Sequence, residues 1–102
     1  MNIEELSELL YYLLVGANSY PMRLRANNPP SDEEFGYLEE LMIQAVKILK
    51  SKDYVPKKLL LAFLNIESGL SQGLAFYSDV EADRLVDWHD RIVAIVEVLY
   101  KS

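Results

Sequence analysis

Cysteine is absent from the chain. Disulfides, thiol nucleophiles and cysteine-based zinc or iron–sulfur sites are thereby excluded, and the composition suits a reducing compartment. Glycine and proline number four each, and no segment forms a Gly-rich phosphate loop, a nucleophile elbow or a low-complexity tract. The longest apolar run, Leu9 to Val15, has seven residues, against about 20 for a bilayer span. The opening MNIEELSE is acidic where a secretory signal needs positive charge. No stretch alternates apolar and polar residues for long, so strand signals are weak. The expectation is a soluble, cytoplasmic, helical protein.

What is present agrees with that class. The 102 residues are 51% apolar and 25% charged, enough for one domain, 1–102, around a single core. Four segments carry apolar residues at spacings of three and four. They are Leu6, Leu10, Leu13, Ala17, Tyr20, Leu24; then Phe35, Leu38, Met42, Ala45, Leu49; then Leu59, Phe63, Ile66, Leu70, Leu74, Tyr77; and finally Leu85, Trp88, Ile92, Ile95, Leu99. The stretch NNPPSDEEF cannot continue a helix through its prolines, and Ser31 with Glu34 reads as a capping box. Pro56 suits the first turn of the third helix, and Ser78 or Asp79 the N-cap of the fourth. Pro21 is expected to kink or end the first helix near Tyr20. There is no internal repeat. With short connections, the simplest all-α solution is an antiparallel up-down-up-down four-helix bundle.

That topology sorts the charges. One end collects Asp32, Glu33, Glu34, Asp79, Glu81, Asp83 and Asp87, opposed by Arg23, Arg25 and Arg84. The other end holds Lys47, Lys50, Lys52, Lys57 and Lys58, offset by Glu4, Glu5 and Glu8. The net charge of −6 thus conceals an acidic pole, although acids also favour helix starts for their own sake. Such a surface repels nucleic acid and suits a basic protein.

Trp88 lies on the core stripe of the fourth helix. His89 lies on a second stripe with Val86, Val93, Val96 and Tyr100, so this helix has a wide apolar arc. Arg84 and His89 stand at the spacing Arg-x4-His, and these six residues resemble the motif of HEPN ribonucleases. The resemblance implies RNA cleavage at Arg84 and His89, but leucine stands at 85 where that family has a polar residue. GLSQGLAF, residues 69–76, is similar to a segment of the small helical subunit of type III-B CRISPR effector complexes, a likeness that length and charge do not extend.

Asp83, Asp87 and Asp90 share a helix face that could hold a cation, but the Glu-x-x-His pairs of a di-iron bundle are missing. Glu67, among apolar residues, is a candidate buried carboxylate. Gly69 and Gly73 should permit a close helix approach, with Gly16 and Ala17 as the simplest partners. Tyr11 and Tyr12 cannot both face the core, and Tyr37 lies off its stripe; exposed tyrosines beside acids are interface composition.

The expected function is a small acidic protein-binding module. In its sharpest form it is an immunity- or antitoxin-type inhibitor that covers the active site of a basic toxin, such as a nuclease. Asp32, Glu33, Glu34, Tyr37, Asp79, Glu81, Asp83, Asp87 and His89 would form the partner-binding face, with no catalytic residue, metal or cofactor. The alternative is a structural or regulatory subunit that forms homo- or hetero-oligomers, for instance a homodimer, through the fourth helix.

Overall fold

The structure, a computed structural model, describes residues 1–101 except for the side chains at 67, 100 and 101. The Glu67 candidate and the Tyr100 end of the second stripe fall outside the described residues. Among the described residues the chain is helical without strands: α1 Ile3–Leu14, α2 Tyr20–Arg25, α3 Asp32–Leu49, α4 Lys57–Leu74 and α5 Asp79–Lys101. No helix among them is long and apolar enough to cross a membrane.

The helix starts follow their sequence signals. Asn2 caps α1 with Glu5, and Ser31 caps α3 with Glu34, each as a reciprocal capping box. Pro56 occupies the N-cap of α4, one residue before the first turn. Ser78 provides the carbonyl for the Ala82 N–H at the start of α5. The first segment departs from expectation. α1 stops at Leu14, and Pro21 begins a helix instead of ending one. Ser19 caps α2 through the Met22 N–H, and Pro21 sits in the first turn, where its missing N–H costs nothing. The last carbonyl of α1 is satisfied from outside by Asn65 Nδ2 at 3.0 Å.

The four long helices enclose one core, but not in sequential order. α1 packs on α3 and α4, α5 packs on α3 and α4, and among the described residues the α3 and α4 backbones do not approach each other closely. The contacts Glu8–Lys58 and Leu14–Asn65 advance together along α1 and α4, so these two run parallel. Asp32–Arg84 and Glu39–Arg91 show the same for α3 and α5. The up-down-up-down arrangement with consecutive neighbours is therefore corrected to a ring α1–α3–α5–α4, with α2 as a fifth helix laid on α4. The seven residues between Leu49 and Lys57, which reach about 23 Å when extended, carry the chain diagonally across the core.

The fifth helix also changes the glycine contacts. A Cβ at Gly73 would lie 2.7 Å from the Leu24 side chain, and one at Gly69 would lie 3.2 Å from Pro21. The close approach is real, but its partner is α2, not Gly16 and Ala17. Tyr77 pins the same helix by donating its hydroxyl to the Leu24 carbonyl at 2.8 Å.

Candidate functional site: the acidic pole

The α1–α3 and α4–α5 connections meet at one end, as the Tyr77–Leu24 bond shows. The acids gathered there divide into two groups.

The first group is consumed by the fold. Asp32, at the first position of α3, accepts from Trp88 Nε1 at 2.8 Å and from Arg84 Nη1 at 2.9 Å. These bonds, with Trp88 the stronger, hold its carboxyl below the usual range. Arg84 also donates to Glu81 and to the Pro30 carbonyl. Glu34 is gripped by both terminal nitrogens of Arg23. That pairing first, and the Ser31 backbone second, bring its pKa down to about 2 from 4.5.

A depressed carboxylate contributes stability that is present above pH 4.5 and lost as pH falls toward 2. The Glu34 side chain is 41% exposed, so screening reduces the size of this contribution. Acid unfolding curves should therefore show stability falling through that window, and Glu34→Gln should flatten the fall. An identical slope in the variant would remove Glu34 as a cause.

The second group is free. Glu33, Asp79, Asp83 and Asp87 are exposed and make no ion pair. Asp79, Asp83 and Asp87 recur every fourth residue, so they form a ridge about 12 Å long on the outer face of α5. Asp79 has φ 57°, a left-handed conformation that aspartate tolerates better than most residues. All four arginines of the chain are engaged internally: Arg23 with Glu34, Arg25 with Gln72, Arg84 with Asp32 and Glu81, Arg91 with Glu39. The mobile charge left at this pole is negative.

Between α1 and α3 lies an open groove of about 550 Å³. Tyr12 and Tyr37 stand at its exposed edges, and Tyr20, Leu13, Arg23 and Glu33 help to line it. Tyr37 is thus at the surface as its sequence position implied. Of the consecutive pair, Tyr11 turns toward Lys58, whose ammonium lies 5.7 Å from its ring centroid, and Tyr12 is left outside.

His89 does not belong to the pole surface. Its Nε2 lies 3.1 Å from Ser71 Oγ, its Nδ1 3.3 Å from Asp90, and its ring borders an apolar void with Leu24, Phe35, Leu70, Leu74 and Leu85. Arg84 reaches toward α3 and His89 toward α4, so the Arg-x4-His pair forms no common site. Among the described residues no group of three His, Cys, Asp or Glu is placed to hold a metal ion, and Asp83, Asp87 and Asp90 do not converge.

No family model, curated protein or solved structure matches the chain. What the pole can do follows from its own chemistry: unpaired carboxylates on a rigid helix attract cationic groups, and tyrosine faces beside them accept a lysine or arginine side chain.

Proposed function

We propose that this protein is a binding module that engages a basic protein through its acidic pole, and that it acts by occupancy without chemistry of its own. The observation behind this reading is the unequal pairing of charges. Every arginine at the pole is spent inside the fold, and Glu33, Asp79, Asp83 and Asp87 are left exposed with no partner. The ridge on α5 steers a cationic surface inward, which raises the association rate and makes it salt-dependent. The groove between Tyr12 and Tyr37 then anchors a lysine or arginine side chain, with the Glu33 carboxylate at its rim. An active site built to hold phosphates is one such basic surface, so inhibition of a toxin nuclease in the cytoplasm is the sharpest form of the proposal.

The test is capture from lysate of the native host at low and high salt, followed by titration of the purified partner. The variant to compare is Asp79→Lys, Asp83→Lys, Asp87→Lys, whose targets make no internal ion pair. Asp32 and Glu34 are poor choices for charge reversal, because they hold Trp88, Arg84 and Arg23 in place. The triple variant should keep its helical spectrum and bind about 100-fold more weakly or worse. Undiminished, salt-insensitive affinity would end the proposal.

A further inference from the structure

The groove between α1 and α3 already holds one guanidinium, and its partners show what the groove accepts. Arg23 lies with its Cζ 5.7 Å from the Tyr20 ring centroid, within reach of cation–π attraction. It meets the Glu34 carboxylate with both terminal nitrogens, Nη2 at 3.0 Å. A carboxylate and a tyrosine ring thus share one planar cation. Glu33 and Tyr37 stand next to this set, four residues apart and so on one face of α3. Both line the same groove and both are exposed. Tyr12 stands at its other edge, on α1. Among the described residues Glu33 makes no ion pair. Glu34 balances Arg23, so the charge that the groove offers to a visitor is that of Glu33.

We infer that the groove is an arginine site, an assignment that rests on the acidic pole engaging a basic protein. It takes the guanidinium of an arginine side chain on that partner, with Glu33 as the acceptor and the Tyr37 ring as the stacking face. Glu33 and Tyr37 repeat the acid and ring that hold Arg23, with no arginine of the chain assigned to them. Lysine suits the pair less well. Its ammonium is a compact, strongly hydrated point charge with no flat face to set against a ring. The guanidinium is planar, gives up its water more readily and matches a carboxylate with two parallel N–H donors. The roles at the pole then differ. Asp79, Asp83 and Asp87 attract positive charge of either kind, and Glu33 with Tyr37 tells the two kinds apart.

The test is an NMR titration of the isotope-labelled full chain with two acetylated, amidated peptides, tetra-arginine and tetra-lysine, at one ionic strength. Tetra-arginine should bind about tenfold more tightly, and its amide shifts should include Glu33 and Tyr37. Glu33→Gln and Tyr37→Leu, both at exposed positions, should each bring its affinity down to about the tetra-lysine level. Tyr37→Phe keeps the ring and should keep the difference. Asp79→Lys, Asp83→Lys, Asp87→Lys should weaken both peptides and leave their ratio intact, because it reverses the field that attracts either one. Equal affinities for the two peptides, both weakened by the ridge variant, would overturn the arginine site and leave the acidic pole standing. An arginine preference that survives both Glu33→Gln and Tyr37→Leu would also overturn the site. Binding of neither peptide would overturn the site and the pole together.

Discussion

Replacing Trp88 by alanine is expected to destabilise the fold by about 3–5 kcal/mol, a large share of the roughly 5–15 kcal/mol available to a domain. The indole is 8% exposed and joins three kinds of contact. One face stacks on Phe35, with centroids 5.5 Å apart and planes 14° from parallel. The Arg91 guanidinium lies 4.1 Å from the ring centroid. The Nε1–H donates to Asp32 at 2.8 Å, at the positive end of the α3 dipole. Truncation leaves a cavity between α3 and α5 and takes one of two donors from Asp32.

Trp88→Phe separates these effects. It keeps a ring for Phe35 to stack on and loses the bond to a charged acceptor, for a smaller cost of about 1.5–3 kcal/mol. Urea unfolding followed by far-UV circular dichroism measures both variants, since the chain has no other tryptophan to report by fluorescence. Equal losses for alanine and phenylalanine would show that the hydrogen bond, not the packing, dominates.

The core role of Trp88 was readable from its place on the stripe Leu85, Trp88, Ile92, and most stripe residues of the second to fourth segments are buried. Spacing reports which residues share a face. It does not report whether a helix is continuous. That is why the run from Leu6 to Leu24 reads as one helix: Tyr20 and Leu24 do face the core, but from α2, while Ala17, in the connection before α2, is exposed. The break was encoded in Gly16 and in Ser19 before Pro21, a cap followed by a first-turn proline, which is as much a start signal as a stop signal. The ring order was not legible, because a seven-residue connection is long enough to reach either a neighbour or a diagonal helix. The partner of Gly73 depended on that order.

The acidic pole was legible as a count and illegible as a pattern. Their positions near the first and third connections place the acids at one end, but only the fold decides which of them meet an arginine. Asp32, Glu34 and Glu81 are internal by that criterion, and Glu33, Asp79, Asp83 and Asp87 are free. His89 stands among them in the sequence on a second stripe of α5, yet it lies about 160° around the helix from Asp87, on the side facing Ser71.

Tyr20 should make the fold fail in alkali. Its ring is 3% exposed, packs edge-on against Phe35 at 5.6 Å, and its O–H donates to the Glu34 carbonyl at 2.9 Å. Burial first, and the negative charge of Glu34 second, push its pKa up to about 12 from 10, with Arg23 opposing. A raised phenol favours its neutral form in the folded state. The associated stability is therefore whole below pH 10 and is lost as pH rises from 10 to about 12. Two pH units correspond to about 3 kcal/mol. Urea midpoints across that window should fall for the wild type. Tyr20→Phe should begin about 1 kcal/mol lower for want of its hydrogen bond, yet lose less on going to high pH. Some decline should persist in the variant, because burial also raises Tyr77. Parallel curves for the two proteins would mean that Tyr20 does not set the alkaline limit. The outcome bears on binding too: Tyr20 lines the groove between Tyr12 and Tyr37 and ties α2 to the first turn of α3. Its ionisation would loosen the groove before the remainder of the core unfolds, so affinity for a basic partner should fall at lower pH than helicity does.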